Sequence, residues 1–142
     1  MRKEPHSPKK TTETETTPFD SAEEAWFWFL LAYKAQQEGA RFVAGAGLVP
    51  RPCEPIDILK SVDRLYRNRR LLMGHILVMR HYGLRNLPPD SRRMKEARAA
   101  KLWSEAMERL SEVLESKGIV RRLRTGDQHW LFDAVIYERA AE

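Results

Sequence analysis

The sequence predicts a mainly α-helical protein of four or five helices with a small C-terminal β-hairpin. Three observations favour this fold class: apolar residues recur at helical spacing, each such segment is bounded by helix start and stop residues, and short runs rich in β-branched and aromatic residues follow Gly118. A length of 142 residues favours one domain. Four Trp, five Phe and four Tyr supply large side chains for its core.

Residues 1–18 are expected to form a disordered tail, and residues 19–142 a single helical domain with the hairpin at its end. The tail consists mainly of Lys, Glu, Thr, Ser and Pro and has no large apolar residue after Met1. Such a segment cannot bury enough apolar surface to offset the entropy lost on ordering.

The first helix is expected over residues 21–38. Ser21 and Glu24 have the spacing of a capping box at its start, and Gly39 follows its end. Apolar residues cover nearly the whole circumference between residues 26 and 33. Such a helix is buried on several sides or docks on a partner, and burial in the core is the favoured interpretation. Trp26 and Trp103 are both expected in that core.

Residues 39–54 are rich in Gly and Pro and are typical of a long loop, whose role the sequence leaves open. Helical spacing then resumes at Pro55, a residue suited to a first helical turn, and ends near Gly83. A bend or turn is expected at Asn68.

A further helix is expected from an N-cap at Asp90 or Ser91 to Lys117, closing on Gly118. Its first half is basic and its second half acidic, and both halves oppose the helix dipole. The arrangement therefore calls for a cause outside the helix, and phosphate groups near its N-terminal half would supply one.

The hairpin is expected from a short strand at 119–124, a turn at 125–128 and a second strand at 129–137. A helix over residues 129–140 remains the alternative.

The positive charge is concentrated along the chain. Residues 60–101 contain twelve Lys and Arg against three acids, and residues 117–124 contain four and no acid, although the net charge is only +5. A one-sided basic surface most often serves a polyanion, because each cation that neutralises a phosphate releases a counterion. The charge pattern therefore predicts nucleic-acid contact.

Residues 106–132 resemble the helix-to-wing junction of winged helix-turn-helix regulators. In that family a helix ends in a Leu-Glu-x-Lys-Gly-Leu/Ile phrase, followed by a basic strand, a polar tip and an aromatic-bearing strand. Here Leu114-Glu-Ser-Lys-Gly-Ile119 matches the phrase, and Gly126-Asp127 matches the tip. The resemblance implies a helix N-terminal half in the major groove and wing arginines against phosphate or the minor groove.

Two broader resemblances cover other parts of the chain. Residues 19–120 as a whole resemble a small uncharacterised family of bacterial proteins, which implies no activity. Residues 71–91 are similar to the last helical region of sigma-like factors.

The expected function is that of a nucleic-acid-binding protein, a small transcriptional regulator with a basic helix N-terminus and a basic wing, and DNA is the favoured partner. The alternative is a non-enzymatic interaction or scaffold module that docks through the aromatic helix 21–38, and a homodimer is left open. The predicted nucleic-acid-binding residues are Arg92, Arg93, Lys95, Arg98, Lys101, Arg121, Arg122 and Arg124.

The sequence offers no enzyme, cofactor or metal signature. No His/carboxylate pair or nucleophile motif is recognisable, and His75 and His81, six residues apart, fall on different helix faces. Gly45-Ala-Gly47 lacks the Lys-Ser/Thr of a phosphate loop. Cys53 is the only cysteine and is expected to be an unreactive loop residue.

A cytoplasmic protein without a membrane partner is expected. The N-terminus lacks the apolar stretch of a secretory signal. The longest apolar run, residues 25–33, has nine residues, whereas a membrane-spanning helix needs roughly 20. A lone cysteine permits no intramolecular disulfide, which fits a reducing compartment.

Overall fold

The computed structural model describes residues 15–39 and 49–122. They form four α-helices: α1 (Ala22–Gln37), α2 (Pro55–Arg67), α3 (Met73–Leu84) and α4 (Ala97–Ser116), with a 3₁₀ turn at Met94–Glu96. The mainly helical prediction is confirmed, and these residues contain no β-strand. The predicted hairpin falls mostly on residues 123–142, outside the part of the chain that is described.

The predicted capping box opens α1. The Ser21 hydroxyl accepts a hydrogen bond from the Glu24 backbone N–H at 3.1 Å, and the Glu24 carboxylate accepts one from the Asp20 N–H at 2.8 Å. The helix ends at Gln37, and Gly39 follows with a φ of +83°, a left-handed conformation that glycine adopts without strain. Both ends of α1 are therefore set by residues in its immediate vicinity.

The aromatic side chains of α1 form the centre of the core. Trp26, Phe29 and Leu30 are buried, and Trp103 of α4 is only 5% exposed. Phe27 stacks on Trp103 with ring centroids 5.7 Å apart. The prediction that Trp26 and Trp103 lie in the core is confirmed.

The four helices are not equivalent in their packing. α1 and α4 each contact the other three helices, whereas α2 and α3 contact one another little. The two middle helices therefore flank the α1–α4 pair, and a groove opens between them.

α1 and α3 approach closely at Gly83. A Cβ placed on Gly83 would overlap the Leu30 side chain and lie 2.7 Å from Trp26 Nε1. Next to this contact, the indole N–H of Trp26 donates to the Met79 carbonyl at 2.9 Å. Because any side chain larger than hydrogen would push the helices apart, Gly83 sets the distance between them.

The predicted break at Asn68 is present as a turn between two helices. Asn68 caps the C-terminus of α2, and Arg69 adopts a left-handed conformation with φ +62°. Pro55 lies at the first position of α2, as predicted.

The start of α4 differs from the prediction. The helix begins at Ala97, not after Asp90 or Ser91. The Asp90 carboxylate accepts the Arg92 N–H at 2.9 Å, and the Glu96 carboxylate reaches back to the Asp90 N–H at 2.9 Å. These side-chain bonds stabilise a compact loop in place of the first helical turns. The C-terminal stop is as predicted, since Gly118 follows with φ +78°.

The segments on either side of the helical core meet at one β-bridge. Phe19, which is fully buried, pairs in parallel with Val120. The Phe19 N–H donates to the Ile119 carbonyl at 2.9 Å, and the Arg121 N–H donates to the Phe19 carbonyl at 2.8 Å. The Thr17 N–H also bonds to the Pro50 carbonyl, so specific contacts begin inside the segment 1–18.

No helix among residues 15–39 and 49–122 is long and apolar enough to cross a membrane.

Replacing Gly83 by Ala should destabilise the fold by roughly 1–3 kcal/mol, because the added methyl group overpacks the α1–α3 contact. Urea denaturation followed by circular dichroism measures the free energy of unfolding.

Gly74→Ala is the matched control. Gly74 is exposed in the first turn of α3, and a Cβ there would meet Leu102 at an ordinary 3.8 Å. This variant should be as stable as the wild type or up to about 1 kcal/mol more stable, since alanine favours the helix. Equal losses in the two variants would contradict the close-packing argument.

Candidate nucleic-acid interface

The predicted site residues fall at the two ends of α4. Arg92, Arg93 and Lys95 lie in the loop before the helix, and Arg98 and Lys101 lie in its first two turns. Arg121 and Arg122 follow its C-terminus, and Arg124 lies outside the described residues. With a rise of about 1.5 Å per residue, α4 separates the two clusters by about 28 Å.

Most of the predicted dipole penalty is absent. Because α4 begins at Ala97, the side chains of Arg92, Arg93 and Lys95 precede the helix, and only Arg98 lies in its first turn. The expectation that a whole run of cations opposes the helix dipole is therefore wrong for the first three residues.

Two arginines of the loop pair locally and still project into solvent. Arg92 lies 3.2 Å from an Asp90 carboxylate oxygen with its side chain 89% exposed, and Arg93 lies 3.5 Å from Glu96 with 71% exposed. The backbone N–H and the guanidinium of Arg92 both bond to Asp90 and lower the pKa of that carboxyl. Exposed pairs of this kind are weak and exchange readily for other anions.

The cations that continue onto α4 have no such partner. Lys95, Arg98 and Lys101 are exposed, and none forms an ion pair with a carboxylate in the described ranges. Their charges are therefore available to an external anion.

Arg80 of α3 and Arg85 at its C-terminus are cations that were not among the predicted site residues. Arg80, His81 and Arg85 are exposed, and with Leu77 and Leu84 they line a shallow depression on the outer face of α3. The local excess of Lys and Arg over residues 60–101 is the sequence feature that could have identified Arg80 and Arg85. The sequence alone did not reveal which members of that run face outward.

The N-terminal half of α4 lies beside α3. Gly74 of α3 is close to Leu102, and the ring of Tyr82 makes an edge contact with Trp103 at 6.5 Å between centroids.

The loop that joins α3 to α4, residues 85–96, carries Arg85, Arg92 and Arg93. The exposed cations of the α3–α4 connection and of the first two turns of α4 are here called the corner surface: Arg85, Arg92, Arg93, Lys95, Arg98 and Lys101.

Two acidic residues of α4 bind side chains elsewhere in the protein. Glu112 pairs with Arg70 at 3.0 Å, and Glu105 bonds to His75 at 2.9 Å. Arg70 lies between α2 and α3, and His75 lies in the first turn of α3, so both belong to the segment by which the chain enters α3. The acids that disfavour the C-terminal half of α4 as an isolated helix therefore hold this segment in place.

The predicted wing arginines are only partly free. Arg121 pairs with Asp20 at 3.1 Å, while its side chain remains 53% exposed. Arg122 is exposed and forms no ion pair with the described part of the chain.

A His/carboxylate pair that the sequence did not reveal lies under the N-terminus of α3. His75 is buried; its Nδ1 accepts the Leu72 N–H at 3.0 Å, so the other ring nitrogen, Nε2, donates to Glu105 at 2.9 Å. Both ring nitrogens are used in fixing the start of α3 to α4. The hydrogen bond from His75 lowers the pKa of Glu105. The contacts of His75 are therefore those of a structural residue.

Two further chemistries are poorly supported by the geometry. Burial raises the pKa of the Cys53 thiol to about 11, and the nearby Asp57 and Glu54 carboxylates act in the same direction. Such a thiol is protonated at neutral pH and is a weak nucleophile. Within residues 15–39 and 49–122, no group of three His, Cys, Asp or Glu residues is placed to hold a metal ion.

Comparison with known proteins gives no relative: no family model, curated protein or solved structure matches this chain.

Glu105→Gln should remove an acid-sensitive part of the stability. The folded-state pKa of Glu105 lies below its ordinary value of 4.5, so the ionised carboxylate stabilises the fold above that value and the benefit disappears as pH falls through the folded pKa. The stability difference between wild type and variant should therefore shrink between about pH 5 and pH 3. Thermal denaturation at several pH values measures it.

Glu108→Gln is the control, since Glu108 is exposed on the same helix and has no partner in the described part of the chain. At neutral pH its stability loss should be smaller than that of Glu105→Gln, because only Glu105 bonds to a buried side chain. If the stability difference between wild type and Glu105→Gln did not change with pH, the His75–Glu105 contact would make no pH-dependent contribution to stability.

Proposed function

We propose that this protein binds nucleic acid, with duplex DNA as the favoured target, through the corner surface. The observation that carries the proposal is the set of exposed cations at the start of α4, Lys95, Arg98 and Lys101, none of which forms an ion pair with a described carboxylate. Arg92 and Arg93 add two guanidinium groups whose local pairs are exposed enough to exchange for phosphate.

The charge distribution on α4 favours one orientation on a polyanion. Arg98 and Lys101 share the exposed face of α4 with Glu108 and Glu112 further along. A phosphate backbone lying along the whole helix would meet these acids. The N-terminal end of α4 therefore faces the nucleic acid, where the positive end of the helix dipole adds to the attraction.

A second contact is proposed at the other end of α4. Arg121 and Arg122 follow the far end of α4, whose length of about 28 Å is close to that of one turn of duplex DNA at about 34 Å. The resemblance of residues 106–132 to a helix-to-wing junction supports a wing there, with Arg124 as a further member. On this proposal the protein is a small transcriptional regulator.

The alternative, an interaction module docking through residues 21–38, has less support. The large aromatic residues Trp26 and Phe29 of that helix are buried, while Leu31 and Tyr33 remain exposed. The proposed role is non-enzymatic under either alternative. The bonded ring nitrogens of His75 and the raised pKa of Cys53 are consistent with that role.

Binding to a random-sequence duplex should fall steeply as salt rises. In a plot of log affinity against log salt, the slope is about −0.9 for each phosphate neutralised, so four or five contacts predict a slope near −4. Fluorescence anisotropy with a labelled duplex measures the slope. The absence of binding at low salt would refute the proposal and favour the interaction module.

Charge reversal distinguishes binding through the corner surface from binding that depends only on the net charge of the protein. The double variant Arg98→Glu, Lys101→Glu should weaken binding by at least about 100-fold, since two phosphate contacts become repulsive. The fold should be equally or slightly more stable, because Arg98→Glu places a carboxylate in the first turn of α4.

Lys60→Glu, Arg64→Glu is the matched control, since both residues are exposed, unpaired cations of the described region on α2. It changes the net charge by the same amount and should weaken binding far less. Equal losses for the two double variants would show that affinity follows net charge and not the corner surface.

A further inference from the structure

An apolar groove lies between α2 and α3, with α1 as its floor. Trp26 and Leu30 contribute to the floor, Leu59 to the α2 wall, and Met79 and Arg80 to the α3 wall. The volume is about 250 Å³, the space of a few apolar side chains. All lining residues except Arg80 are apolar or aromatic.

The rim of the groove is open to solvent. Leu59 is 40% exposed and Tyr33 is 41% exposed. Large side chains that meet around a concave surface gain free energy when another apolar surface covers them. The groove therefore has the properties of a docking site for a short segment.

Arg80 sets the charge that an occupant needs. Its side chain is exposed at the rim, and no carboxylate in the described ranges lies within ion-pairing distance of it. A matching segment carries several large apolar residues and one acid.

One segment of this chain fits that description. Residues 129–137 contain six large apolar residues and a single acid, Asp133. The other segments beyond the described ranges do not fit: residues 1–14 have no large apolar residue after Met1, and residues 40–48 carry a cation, Arg41, and no acid. Charge and composition therefore select the C-terminal segment.

We propose that residues 129–137 dock in the groove between α2 and α3, with the Asp133 carboxylate paired to the Arg80 guanidinium. The segment fits as either a strand or a helix. In a strand Asp133 shares a face with Leu131 and Val135, and in a helix with Trp130 and Tyr137, so apolar residues flank the acid in both cases.

The chain is long enough to reach. Seven residues lie between Arg122 and Trp130, and an extended chain spans about 26 Å from one to the other. Val120 is bridged to Phe19, just before α1 begins. The groove follows α1 from Trp26 to Tyr33, about 6 to 17 Å beyond the first residue of the helix.

Hydrogen exchange of the full chain, measured by mass spectrometry, tests the docking. The backbone amides of residues 129–137 should exchange at least about tenfold more slowly than in an unstructured peptide. Leu59→Glu should remove most of that protection, because it places a carboxylate in the groove wall opposite Asp133. Leu77→Glu is the control, since Leu77 is similarly exposed but lies outside the groove, and it should leave the protection unchanged.

A charge exchange tests the ion pair itself. Arg80→Glu and Asp133→Arg should each speed exchange of residues 129–137 by about two- to fivefold, the range of an exposed ion pair. The double variant should restore the slower rate. Because Arg80 is exposed, these variants should fold, and their thermal midpoints verify it.

Three results would overturn the proposal. Exchange of residues 129–137 at the unstructured rate in the wild type would show that the segment does not dock. Undiminished protection in Leu59→Glu would place the segment elsewhere. Protection that rises with protein concentration would show that the groove is filled by a second copy of the chain.

Discussion

The contact between Trp26 and Gly83 is the constraint on which the rest of the structure depends. Trp26 can lie against α3 and donate its indole N–H to the Met79 carbonyl only because Gly83 has no side chain. This approach fixes α3 on α1, and it thereby determines which face of α3 is outward. The position of the outer-face arginines and the floor of the α2–α3 groove both follow from it.

Electrostatics divides α4 into two halves with different roles. The carboxylates of Glu105 and Glu112 bind His75 and Arg70, so they fasten the entry to α3 onto α4. The cations at the other end of α4 have no comparable partner within the described residues. Arg98 in the first turn and the acids of the C-terminal half still oppose the dipole of α4. The helix is stable because burial along α4, centred on residues such as Leu110, outweighs charge effects of a few tenths of a kcal/mol each.

The two proposed surfaces share α3 but use different edges of it. Arg85 leads from α3 into the corner surface, whereas Arg80 lies at the rim of the apolar groove. A docked segment that neutralises Arg80 would leave the corner surface uncovered. Nucleic-acid binding through the corner surface and docking of residues 129–137 are therefore compatible in one molecule, and each can fail without the other. Docking excludes only a wing whose second strand is formed by the same residues.

The sequence by itself determined the helices and much of the core, because caps, stop residues and apolar periodicity act over a few residues. Ser21 and Gly118 mark helix ends, and Trp26 belongs to an unmistakably apolar stretch. Only the tertiary structure decided how α4 begins and which charges remain free. The pairing of Arg70 with Glu112 joins residues 42 positions apart, and that of Arg121 with Asp20 joins residues 101 apart. Such contacts depend on how packed helices approach one another, and no local pattern in the chain encodes that approach.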